Sequence, residues 1–114
     1  MFQSLRAIAF IAAVMLAGAI SPAGAGDIII GEGTKSCGAW TKQRQARGAR
    51  SQGMLNWVFG YVSGKNANGL AQPDFLTRTD ADRIVAWIDN YCQSYPLATI
   101  EGAASKLFDS LQAQ

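Results

Sequence analysis

The segment from Thr79 to Pro96 constrains this chain more than any other. It carries a helix start, a helix stop, a core face and one of the two cysteines. At about 100° per residue, Ile84, Val85, Trp87, Ile88, Tyr91, Cys92 and Tyr95 fall within an arc of roughly 160°. Asp82, Arg83, Ala86, Asp89, Asn90, Gln93 and Ser94 take the other side. Thr79 and Asp82 have the spacing of a capping box, with Asp in place of Glu or Gln. Asp80 and Asp82 also place negative charge at the positive end of the helix dipole. Pro96 stops the helix, because the residue before a proline is pushed out of the α region.

The start of the chain reads differently. Arg6 is followed by an apolar run from Ala7 to Ile20, then by Ser21-Pro22 and the small residues Ala23-Gly24-Ala25. That is the pattern of a secretory signal over residues 1–25, cleaved near Ala25. The run is shorter than the roughly 20 residues that span a bilayer. The mature chain is then expected to hold no integral membrane segment. No cysteine stands at the cleavage point to take a lipid anchor.

The 89 residues from Gly26 onward are enough for one small domain. A domain of this size buries a limited share of its surface and benefits from a staple. Export into an oxidising compartment and an even cysteine count make Cys37 and Cys92 a disulfide pair. Nine Lys and Arg against eight Asp and Glu leave the mature chain nearly neutral. Such a balance exerts no strong pull on nucleic acid or anionic membranes.

In chain order, residues 26–35 form an N-terminal arm and residues 36–114 a single helical domain. The arm holds Ile28-Ile29-Ile30, either packed on the body or loose, and glycines that set it apart. Thr34 or Ser36 caps a first helix from Cys37 to Gln45, with Cys37, Trp40 and Thr41 on one face. Lys42, Arg44, Arg47 and Arg50 follow with no acid between them. They read as a solvated helix end; the alternative is a docking patch for an acidic partner or lipid head groups. Gly48 marks the break.

Ser51 to Ser63 is the second helix, with apolar residues spread over roughly 200° of its circumference, which predicts a central helix. Gly53, Gly60 and Gly64 line up beside Trp57. Interior glycine costs about 1 kcal/mol against alanine, so this stripe predicts a close approach by another helix of the chain or by a partner subunit. Gly64 is also placed to cap the helix, and Gly64 to Gly69 reads as a turn. Leu70, Phe75 and Leu76 are expected to anchor the loop that follows. Thr99 caps the last helix, where Ile100, Ala103, Ala104, Leu107, Phe108 and Leu111 repeat at i, i+3, i+4, i+7. No stretch alternates as a half-buried strand does. The fold class is therefore all-α, a small orthogonal bundle of about four helices stapled by one disulfide.

Chemistry is mostly excluded. The chain has no histidine, so Ser-His-Asp and Cys-His arrangements are impossible. Cysteines that pair with each other cannot hold zinc. No phosphate-cradling loop ends in Lys-Ser or Lys-Thr. Asp82 and Asp89 lie two turns apart, Asp82 suited to capping and Asp89 to solvent, with a glycosidase-like pair as the alternative. Trp57, Tyr61, Trp87, Tyr91 and Tyr95 read as core, with a ligand pocket as the alternative. Neither catalytic residues, metal nor cofactor are expected, and the protein is not expected to be an enzyme.

Three segments carry a resemblance: Ser36-Cys37-Gly38-Ala39-Trp40, Asn56-Trp57-Val58-Phe59-Gly60-Tyr61, and Ile88 to Pro96 with its Tyr91-Cys92 pair. Together with a signal peptide, this arrangement resembles the HdeA and HdeB periplasmic acid-stress chaperones. The resemblance implies an exported holdase, dimeric near neutral pH, that opens in acid and holds clients on apolar surface. Trp57, Phe59, Gly60, Tyr61, Gly64, Trp87 and Tyr91 are then the candidate interface or client-binding residues. Gly60-Tyr61-x-x-Gly64 also resembles small periplasmic immunity proteins that neutralise type VI effectors. That likeness implies a specific protein partner instead of a client. Either way the expected location is periplasmic or secreted.

Overall fold

The computed structural model describes residues 28–68 and 75–113. The signal segment, Leu70 and the Phe75 side chain lie outside that description. Four helices make the body: α1 (Cys37–Ala46), α2 (Ala49–Asn68), α3 (Ala81–Ser94) and α4 (Ile100–Gln112). Short 3₁₀ turns occupy Gly31–Thr34 and Phe75–Arg78. The architecture is the all-α bundle that the periodicities predict. Among the described residues the nearest thing to a sheet is one isolated bridge, Ser36 to Thr99.

The central helix is α4, not α2. All six of its predicted core residues are buried, and it packs on α1, α2, α3 and both 3₁₀ turns. Ala103 and Ala104 are fully buried; their small side chains let neighbouring helices come close. Thr99 accepts from the Gly102 amide and caps the helix, as its side chain suits it to do. On α2 only Ser51, Met54, Val58 and Val62 are buried. Leu55, Trp57, Phe59 and Tyr61 are half-buried on either side of that line. The broad apolar arc therefore serves two flanks as well as the core.

Helix α2 also runs further than its turn residues suggest. It continues through Gly64 to Asn68, so Gly64 is not its cap. Contacts one turn apart support the extension: Asn68 Nδ2 donates to the Gly64 carbonyl at 3.0 Å, and the Lys65 ammonium lies 5.6 Å from the Tyr61 ring. Among the described residues, the predicted close approach at the glycine stripe is absent. A Cβ at Gly53, Gly60 or Gly64 would meet nothing within 4 Å.

The glycines that matter to packing are in the N-terminal arm. Trp57 lies against Gly31 and Gly33, and a Cβ at Gly33 would fall inside the indole ring. The Trp57 Nε1 donates to the Ile30 carbonyl at 2.9 Å. These glycines do not separate the arm from the body; they dock residues 31–34 onto α2 and α4. Ile28 and Ile30 remain exposed.

Helix α3 is capped by Asp80, whose carboxylate accepts from the Arg83 amide at 2.9 Å. The Thr79–Asp82 capping box therefore does not form as predicted: the helix begins one residue later, with Asp80 nearer the free amides. Its apolar face divides. Ile84, Ile88 and Cys92 are buried, Val85, Trp87 and Tyr91 are half-buried, and Tyr95 is 57 % exposed.

Cys37 and Cys92 form the disulfide, both buried. It fastens the first turn of α1 to the last turn of α3. The same corner satisfies the opening amides of α1. Ser36 caps Ala39, while Cys37 N–H donates to the Ala98 carbonyl and Gly38 N–H to the Pro96 carbonyl. A helix start leaves such donors without partners of its own; here the α3–α4 turn supplies them.

Candidate functional site

Helices α2 and α3 both pack on α4 but barely on each other. The space between them is an open groove. Its larger part, about 430 Å³, is lined by Leu55 and Phe59 from α2 and by Ala81, Val85 and Ala86 from α3. Arg44, Asp82 and Asp89 stand at its edges. A second part of about 250 Å³ adjoins it at Phe59 and Ala81 and is lined by Val62, Leu76 and Ile84. The groove is apolar at its floor and charged at its rim, the arrangement that suits an apolar segment of another protein. Its volume also falls in the range of small-molecule clefts, but no group of three or more potential metal-ligating side chains occurs among the described residues.

Two carboxylates tie the outer helices down. Asp89 Oδ1 accepts from Trp40 Nε1 at 2.7 Å and from Arg44 Nε at 3.0 Å, and Oδ2 accepts from Arg44 Nη2 at 3.0 Å. The ion pair is about one-third exposed at each end. Asp89 is thus not simply a solvated residue: it joins α3 to α1. The hydrogen bond to Asp89 raises the Arg44 pKa, partial burial opposes it, and the charge of Asp89 adds to the rise. On the other side, the Tyr61 hydroxyl donates to Glu101 Oε1 at 2.8 Å and joins α2 to α4.

The candidate residues do not gather into one site. Phe59 alone enters the groove. Trp57 and Tyr61 stack on the flank of α2, with centroids 5.1 Å apart, under the N-terminal turn. Trp87 and Tyr91 stack along α3 at 5.3 Å, and Tyr91 meets Tyr95 at 4.7 Å. Gly60 faces solvent and Gly64 stands beside open space. Leu55 and Val85, which do line the groove, were hidden in the sequence among residues of the same apolar arcs. A finer division of each arc, into a line on α4 and a line beside it, is the signal that separates them. Asp82 and Asp89 both border the groove, but Asp89 is committed to Trp40 and Arg44, which leaves no free carboxylate pair.

Among the described residues, no helix is long and apolar enough to cross a membrane. Comparison with protein-family models, with curated proteins and with solved structures finds no match to this chain.

Proposed function

We propose that this is an exported, non-enzymatic holdase of the HdeA/HdeB kind, which binds apolar segments of client proteins and is released for that work by acid. The observation that carries the reading is the open groove between α2 and α3, floored by Leu55, Phe59 and Val85 and left open among the described residues. Acid acts on the ties around it. The carboxylates of Asp89 and Glu101 accept the bonds that hold α3 to α1 and α2 to α4. Protonation weakens an acceptor and abolishes its ion pair. Neutralising eight carboxylates also takes the mature chain from about +1 to about +9, and self-repulsion then favours a looser state. The disulfide does not titrate, so α1 and α3 stay tethered as the bundle opens and exposes the groove and aromatic stacks.

The test is light scattering from an acid-denatured client, with and without the oxidised protein, from neutral to strongly acidic pH. Suppression confined to acid supports the reading. Suppression at no pH, with the protein shown to have opened, overturns it. A saturable complex with one exported protein at neutral pH would favour the immunity-type binding module.

A further inference from the structure

We infer that, at neutral pH, the groove between α2 and α3 selects one class of partner segment: a short amphipathic helix whose apolar face is flanked by Lys or Arg. The inference rests on the reading of that groove as a binding surface and names what the surface prefers. Two features decide the class, the build of the groove walls and the sign of the charge left open on its rim.

The lining residues run from Leu55 to Ser63 on α2 and from Ala81 to Asp89 on α3. At about 1.5 Å per residue each wall is about 12 Å long, the length of roughly two helical turns. Both walls are helices, whose backbone groups are bonded within their own turns away from the ends. Neither wall offers the open strand edge on which an extended segment pairs its amides and carbonyls. A helix satisfies its own backbone and asks only for apolar contact. Two turns set its anchors at i, i+3 or i+4, and i+7, over the floor made by Leu55, Phe59 and Val85.

Helix α2 brings no charged residue to either part of the groove. Arg44 and Asp89 are paired with each other and cancel. What is left open is Asp82 beside the larger part and Asp80 beside the smaller. Asp82 belongs to no ion pair among the described residues. Asp80 meets Arg83 at 3.5 Å, but both side chains are more than half exposed and Arg83 lines neither part; such a pair is weak. The positive end of the α3 dipole offsets about half of one charge, which leaves the balance negative. The groove is thus acidic at the start of α3, in a mature chain that is slightly basic as a whole. Its complement is an ammonium or a guanidinium. Ala81 and Ala86, both exposed, keep the α3 bank low beside Asp82. The apolar stem of a Lys or Arg can lie across them while its charge reaches the carboxylate.

Synthetic peptides of about 14 residues, long enough to turn helical on a surface, provide the test. They share one apolar face and differ only at the polar positions, filled with Lys, Gln or Glu. Each is titrated at neutral pH into the oxidised protein and followed in ¹H–¹⁵N spectra. The amides of both groove walls should shift saturably. The Lys peptide should bind about fivefold more tightly than the Gln peptide, the scale of one exposed ion pair, and the Glu peptide more weakly than either. Asp82→Asn should remove most of that preference and leave the affinity for the Gln peptide unchanged; Asp82 is exposed, so the variant should fold. A central proline should abolish binding of the Lys peptide, because it breaks the helix. Equal affinities for the three peptides, a preference that survives Asp82→Asn in full, or binding that survives the proline overturns the inference and leaves the groove a surface for apolar segments in general. No shift along either wall overturns it as well, while light scattering in acid decides the holdase reading separately.

Discussion

Replacing Asp89 by alanine should destabilise the fold more than its position on the polar side of α3 suggests. Its Oδ1 takes the indole proton of Trp40 at 2.7 Å, and Trp40 is fully buried. Alanine leaves that donor in the interior without an acceptor, at a cost of about 1–3 kcal/mol. The ion pair with Arg44 is one-third exposed, so losing it adds at most about 1 kcal/mol. The sum is about 1–4 kcal/mol. For a domain of this size each kcal/mol moves Tm by about 4–8 °C, which gives a fall of roughly 5–30 °C. Asp89→Asn keeps an oxygen for the indole and loses only the ion pair, so it should cost about 1 kcal/mol or less and match Arg44→Met.

A double-mutant cycle isolates the buried bond. Trp40→Phe removes the donor, so Asp89→Ala should cost about 1–2 kcal/mol less in that background than in the parent. Thermal and urea unfolding of the oxidised proteins, followed by circular dichroism, measures every corner. If Asp89→Ala is no worse than Asp89→Asn, the indole is not relying on Asp89 and the reasoning fails. The pH dependence has a defined sign as well. The Arg44 pKa is raised on folding. Its contribution is therefore complete below the ordinary arginine range and is lost only as pH climbs through the raised value. The stability gap between parent and Arg44→Met should stay constant from about pH 6 to pH 10.

Gly33→Ala should undock the N-terminal turn: its Cβ would overlap the Trp57 ring, at about 1–3 kcal/mol, read as a lower Tm and a red-shifted tryptophan emission. Gly53→Ala and Gly60→Ala should each raise stability by about 0.5–1 kcal/mol, because both face open space; a loss of stability or a change of oligomeric state by light scattering would instead mark that face as covered by another subunit. Reducing Cys37–Cys92, which lie 55 residues apart, should cost about 4 kcal/mol by the chain-entropy account, measured as the shift in urea midpoint with and without reductant.

Much of this fold was legible in the chain, and the limits have physical causes. The core of α4 and the cap Thr99 follow from spacing and side-chain chemistry alone, whereas Thr34 and Ser36 both suited the start of α1 and Ser36 takes it. The pairing of Cys37 with Cys92 followed from count and compartment, and the two are joined. Asp80 rather than Thr79 caps α3 because two neighbouring residues offer the same chemistry and register decides between them. The turn residues after Gly64 were overridden by contacts one helical turn away, at Asn68 and Lys65. The glycines misled because cost and compensation were assumed to lie together. Gly33 meets a ring in a segment that looked like a linker, whereas Gly60 meets nothing. Asp89 and Arg44 were visible only as charges, since their partnership spans 45 residues and no local pattern encodes it.

The groove is held by connections that do not cross it. On one bank, α2 is joined to α4 by Tyr61 and Glu101 and to the N-terminal turn by Trp57. On the other, α3 is joined to α1 by the disulfide and by Asp89. Both banks then rest on α4, whose Ala103 and Ala104 allow them to sit close. The width of the groove is thus set through α4 and not by any bond between α2 and α3. Weakening the Tyr61–Glu101 bond loosens one bank while the disulfide keeps the other in place. A chain tied in this way can widen its apolar cleft without losing its covalent frame, which is what the proposed acid-released holdase requires.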